Sequence, residues 1–153
     1  MGERERLALF NILSDKVQDA RILDAYAGGG TLGIEALSRG AKTVISIEKN
    51  RQAYQILIKN SEKLNLQNEI HPLCERVEKF LQTTSDQFDI VFMDPPYDEF
   101  QPKMVAEMRK VLSQNGLLIV SHPNEPTEIE GLVIKKTTRY ARAHITFYTP
   151  LLS

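Results

Sequence analysis

A chain of 153 residues, 42% hydrophobic and 25% charged, can bury a sizeable core and has the balance of a soluble globular protein. No apolar run approaches the roughly 20 residues that span a bilayer, and the charged stretch from Met1 to Phe10 lacks the apolar core of a secretory signal, so a cytoplasmic location is expected. The single cysteine, Cys74, excludes a disulfide framework and a Cys-based zinc site, and a net charge of −1 argues against a broad basic footprint while leaving room for a local one.

Taken in chain order, Glu3 to Leu13 reads as a helix with Leu9, Phe10 and Leu13 on one face. Arg21 to Tyr26 is a short apolar strand broken by Gly28, Gly29 and Gly30, and a helix follows from Thr31 to Arg39. Thr43 to Ile47 is a β-branched strand that ends at Glu48. Arg51 to Leu64 is amphipathic at helical spacing, Glu69 to Cys74 reads as a strand, and Arg76 to Gln82 as a short helix. Phe88 to Met93 is almost wholly apolar, as in a strand covered on both faces, and Pro95 and Pro96 stop it at Asp94. Met104 to Leu112 is spaced as a helix and Gly116 to Ser121 as a buried strand. Leu132 to Thr138 and His144 to Thr149 alternate and can pair as an antiparallel hairpin.

Strands that alternate with helices imply a doubly wound α/β sheet with right-handed crossovers, here in a single domain over residues 1–153. Ligands of such sheets bind at the carboxyl ends of the strands. Asp24 to Gly33, Glu48 to Asn50 and Asp94 to Tyr97 all follow strands, so they are expected to converge on one edge.

Gly28, Gly30 and Gly33 fit G-x-G-x-x-G between a strand and a helix, with Glu48 placed 20 residues after Gly28. This is a nucleotide-binding arrangement: glycines permit a tight turn and close backbone approach, and the acid can accept hydrogen bonds from ribose hydroxyls. Both a nicotinamide dinucleotide and S-adenosylmethionine suit such a loop. Asp24, four residues before Gly28, favours S-adenosylmethionine, because an acid there can meet a methionine ammonium but would repel a pyrophosphate.

Asp94-Pro95-Pro96-Tyr97 is the most specific segment of the chain. Two prolines fix two φ angles and hold the carbonyls of Asp94 and Pro95 in place. An exocyclic amine on a base is a poor nucleophile because its lone pair is delocalised into the ring. Acceptors on its two N–H bonds favour a pyramidal nitrogen, and the Asp94 carboxylate with the Pro95 carbonyl can supply them. Tyr97 can stack on a base extruded from its helix.

These motifs resemble the RsmD-type 16S ribosomal RNA guanine-N2 methyltransferases. Arg6 to Leu13 is similar to that family's first helix, Leu23 to Ala41 to its cofactor segment, Asp94 to Tyr97 to its catalytic segment, and Ile145 to Tyr148 to its closing strand. The resemblance implies the class I methyltransferase fold: a Rossmann-like, doubly wound, mostly parallel sheet of seven strands with the last antiparallel. It implies S-adenosylmethionine as methyl donor and ribosomal RNA or the small-subunit particle as partner, with no metal and no membrane, and a monomer is expected. The residues implied at the catalytic centre are Asp94, Pro95, Pro96 and Tyr97. Those implied around the cofactor are Asp24, Ala25, Gly28, Gly30, Thr31, Gly33, Glu48, Lys49, Glu75 and Arg76.

The sequence departs from the family pattern in three places. A basic β-hairpin usually precedes the first helix, and here it is absent or trimmed, which lowers the expected affinity for free RNA. Cys74-Glu75-Arg76 stands where many methyltransferases carry an Asp or Asn that meets adenine. Ser121-His122 replaces the family's frequent acid-His pair.

His71, His122 and His144 lack metal-ligand spacing, and no metal site is expected. Lys135, Lys136, Arg139 and Arg142 form a basic stretch that suits either phosphates or plain solvent. Adenine-N6 and glutamine-N5 methylation remain as alternatives within the amino-methyltransferases, and a nicotinamide oxidoreductase as an alternative from another class.

Overall fold

The computed structural model describes residues 1–152. Seven strands form one sheet in the order β3-β2-β1-β4-β5-β7-β6. They are β1 Arg21–Asp24, β2 Thr43–Ile47, β3 Ile70–Leu73, β4 Phe88–Met93, β5 Leu112–His122, β6 Leu132–Arg139 and β7 His144–Pro150. The first five run parallel, and β7 inserts antiparallel between β5 and β6. Among the described residues five α-helices cover the sheet: α1 Glu3–Leu13, α2 Thr31–Ser38, α3 Arg51–Lys63, α4 Val77–Thr83 and α5 Pro102–Glu107.

The apolar run of β4 is explained by cover on both faces. Ile90 and Phe92 pack with Leu9, Phe10 and Leu13 of α1 and Leu32 and Ala36 of α2. Val91 and Met93 point the other way, into a core with Val77, Phe80 and Leu81 of α4 and Val105 of α5. The period-2 alternation of a strand delivers successive side chains to opposite cores, and each fully buried one contributes ~1.5–3 kcal/mol. The rings of Phe10 and Phe92 meet at 5.7 Å with a 58° tilt, which fixes α1 across the centre of the sheet. α3 begins at a side-chain cap, where the Ala53 amide donates to Asn50 Oδ1 at 2.9 Å.

Two elements differ from their sequence reading by more than two residues at an end or in kind. The helix expected over Met104 to Leu112 is split: α5 ends at Glu107, and Met108–Val111 tightens into a 3-10 turn. β5 starts at Leu112 rather than Gly116, because Phe88 pairs with Leu112 before the register shifts and Ile90 pairs with Leu117. Such an irregularity absorbs extra residues in one strand, and the polar run Ser113-Gln114-Asn115 hides it from any alternation rule.

Strand order reverses between β1 and β4, whose register pairs Asp24 with Phe92. Their carboxyl ends therefore open side by side at the switch point, where a doubly wound sheet leaves a crevice.

Candidate active site

The glycine loop after β1 is held from three sides. The Ala27 amide donates to the Ile47 carbonyl at 2.9 Å, tying the loop to β2. The Gly28 amide donates to Glu48 Oε1 at 2.9 Å, and Asn60 of α3 donates to the Gly29 carbonyl at 2.8 Å. Gly30 then turns into α2 with φ of 92°, where a side chain would also strike Leu57. Gly33 lets α2 approach β2: a Cβ there would stand 2.9 Å from Val44 Cγ1.

Glu48 is organised before any ligand arrives. One carboxylate oxygen accepts from Gly28 and the other from the Asn50 amide at 2.8 Å. Each oxygen keeps a further lone pair, so a fixed pair of acceptors is presented where β2 ends.

Asp94 follows β4, and its Oδ2 accepts from the terminal amino group of Met1 at 3.1 Å. Pro96 lies at φ −54° and ψ 137°, and its ring fixes the first of these angles. The chain then turns through Tyr97–Glu99, and the Tyr97 hydroxyl lies 3.0 Å from Ser121 Oγ at the end of β5. Lys49 and Glu99 form a 2.9 Å ion pair that joins the loop after β2 to this turn.

These pieces enclose a cavity of about 440 Å³. Of the residues singled out in the sequence, Ala25, Gly28, Glu48, Lys49, Glu75, Arg76, Asp94, Pro95, Pro96 and Tyr97 line it. Asp24, Gly30, Thr31 and Gly33 do not reach its wall. Gly30 packs under Leu57 and Gly33 on Val44, and Thr31 opens α2 with an exposed side chain.

Asp24 is buried at 1% exposure, and neither carboxylate oxygen has a hydrogen bond of good geometry. Its pKa is pushed up to about 7, first by burial and then by the negative charge of Asp94, with the nearby Gly33 amide opposing and Glu48 adding to the rise.

The sequence reading missed Tyr26, Glu78 and Glu99, which also line the cavity. Burial, and then the charges of Glu78 and Glu99, push the Tyr26 phenol up to about 12. Tyr26 sits two residues before the glycine motif and Glu99 two residues beyond Tyr97, so proximity to a motif was the available signal. Among the described residues the wall carries Glu48, Glu75, Glu78, Asp94 and Glu99 against Lys49 and Arg76. An acidic wall suits a ligand bearing sulfonium and ammonium charges and opposes a pyrophosphate. Among the described residues no cluster suited to a metal ion is present, and no helix is long and apolar enough to cross a membrane.

The sheet order and the antiparallel seventh strand define a class I methyltransferase fold. The family described as Conserved hypothetical protein 95 matches residues 1–149. The chain belongs to that family, the family of the ribosomal RNA small subunit methyltransferases D. It is 39% identical over 116 residues to the Ribosomal RNA small subunit methyltransferase D of Escherichia coli K12, a match that spans 76% of this chain and 57% of that protein. The enzyme of the same name from Buchnera aphidicola (Acyrthosiphon pisum) is 29% identical over 144 residues, 92% of this chain and 73% of that one. A solved structure of a proposed methyltransferase from Escherichia coli superposes with a TM-score of 0.88 at 30% identity, covering 97% of this chain and 85% of the other.

Proposed function

We propose that this chain transfers a methyl group from S-adenosylmethionine to the N2 amino group of a guanine in 16S ribosomal RNA, with residues 1–153 acting as one methyltransferase domain. The observation that carries the reading is the meeting, in one cavity, of a ribose-type acceptor and an amine-type acceptor: Glu48 at the end of β2, and Asp94 with its rigid Pro95-Pro96 segment at the end of β4. The names of the relatives support ribosomal RNA of the small subunit as substrate. The guanine N2 position follows from the family resemblance.

The residues present fit the methyl donor. Glu48 would take the ribose hydroxyls, the Gly28 backbone would lie against the ligand, and Asp24, buried behind the wall, would attract the methionine ammonium directly or through a water. Ala25, Lys49, Glu75 and Arg76 complete the wall. S-adenosylmethionine, when bound, supplies an activated methyl carbon whose bond to sulfur breaks as the amine nitrogen attacks.

Asp94 lines the same cavity as Glu48. In the reaction the carboxylate and the Pro95 carbonyl would accept from the two N–H bonds of the target amine, localising the lone pair toward the methyl donor. The amine becomes acidic only as its new bond forms, so its proton passes to the Asp94 carboxylate or to water after the attack. Tyr97, 37% exposed at the mouth, would stack on the extruded base.

Transfer of a tritiated methyl group to small-subunit particles, followed by nucleoside analysis, tests the proposal. N2-methylguanosine is expected. Label in N6-methyladenosine, or none, would contradict it.

A further inference from the structure

We infer that the β6–β7 hairpin is a docking strip for RNA phosphates beside the methyl-transfer site, an inference that rests on the RNA substrate proposed above. The placement follows from register. Met93 pairs with Val120, which brings Asp94 and Pro95 level with Ser121 and His122. His122 pairs with His144, and His144 pairs with Arg139. Arg139 therefore ends β6 at the same edge of the sheet as Asp94. Three strand spacings separate them, roughly 14 Å. The turn that follows closes with the Tyr140 amide donating to the Ala143 carbonyl at 2.7 Å and presents Arg142 at the same edge.

The charge pattern is one-sided. From Gly131 to Ser153 the sequence holds four Lys or Arg residues and no Asp or Glu, in a chain whose net charge is −1. Lys135, Lys136, Arg139 and Arg142 are all exposed. Among the described residues none of them joins an ion pair. Lys136 lies three residues back along β6, about 10 Å from Arg139, where the register shifts. The cations thus run from the catalytic edge down the last strand of the sheet.

The opposite flank of the site offers no such strip. Most of its cations are engaged, Lys49 with Glu99, Arg76 with Glu78 and Lys110 with Glu107, and among the described residues Lys103 stands alone. Unpaired guanidinium groups beside a site that needs an extruded base suit a polyanion, because backbone contacts fix the register of the strand while the site reads the base. An exposed edge strand bearing Lys and Arg also resists pairing with another sheet, so the same charges keep that edge free.

The test uses the full chain with Arg139→Gln/Arg142→Gln, against a control pair, Lys103→Gln/Lys110→Gln, on the other flank. Affinity for deproteinised 16S ribosomal RNA is measured across a potassium chloride series, with KM and kcat on small-subunit particles. The hairpin variant should lower the slope of log affinity against log salt by about 1.4, the share of two phosphates on a single strand, and weaken binding about tenfold. S-adenosylhomocysteine affinity and kcat at saturating particles should stay at the parent values. An unchanged slope and KM, or an equal loss in the control pair, would overturn the assignment. If the parent transferred no methyl group to RNA yet the hairpin variant still lost the salt slope, the proposed reaction would fail and the docking strip would stand.

Discussion

The hydroxyl of Tyr97 lies 3.0 Å from Ser121 Oγ, so the ring at the mouth of the site is tethered to the end of β5. Ser121 is 1% exposed, and Tyr97 is the partner the structure gives its hydroxyl. Losing the tether leaves a buried hydroxyl unpaired, at a cost of about 1–3 kcal/mol. Tyr97→Phe keeps the ring and should raise KM for RNA a few-fold, with kcat near the parent. Ser121→Ala should do the same, and the double variant should cost no more than either single change. Additive losses in a double-mutant cycle would show that the two groups act independently. Tyr97→Ala removes the stacking surface and should be worse than all three.

Glu48 holds two backbone amides with its two oxygens, at 2.9 Å from Gly28 and 2.8 Å from Asn50. Glu48→Gln would turn an amide NH₂ toward one of these N–H groups and remove the charge. Calorimetry with S-adenosylhomocysteine should show about a tenfold loss of affinity or more, the weight of one charge-assisted hydrogen bond. Affinity equal to the parent's would take Glu48 out of the ligand site.

Asp24 gives the site a pH dependence of known sign. Its pKa is raised from 3.8 to about 7, so the folded apoprotein holds a proton there that the unfolded chain releases near 3.8. The stability this contributes is complete below about 4 and is lost as pH rises through about 7. A ligand ammonium needs the ionised form, so S-adenosylhomocysteine should bind about tenfold more tightly at pH 8 than at pH 6. Asp24→Asn should flatten both the thermal-unfolding profile and the binding profile between those values. A wild-type binding profile that is already flat would separate Asp24 from the ligand ammonium.

Much of this was legible in the chain itself. The apolar run of β4 announced a strand covered on both faces, and the three segments ending in Gly33, Asn50 and Tyr97 did meet at one edge. What stayed hidden depends on contacts between elements. No spacing rule says that Gly33 packs on Val44, or that Glu99 crosses to Lys49. The Met104 to Leu112 stretch has helical spacing, yet it tightens after Glu107 because β5 begins at Leu112. The orphaned oxygens of Asp24 appear only once burial is known.

In the proposed reaction Asp94 holds the amine during methyl transfer. Single-turnover transfer at saturating S-adenosylmethionine and RNA isolates that step from binding. Asp94→Ala should slow it by ~10²–10³, the weight of one preorganised electrostatic partner, while cofactor affinity stays within a few-fold. Asp94→Asn should fall between, since its side-chain oxygen still accepts one hydrogen bond. Transfer by Asp94→Ala at the parent rate would contradict the account.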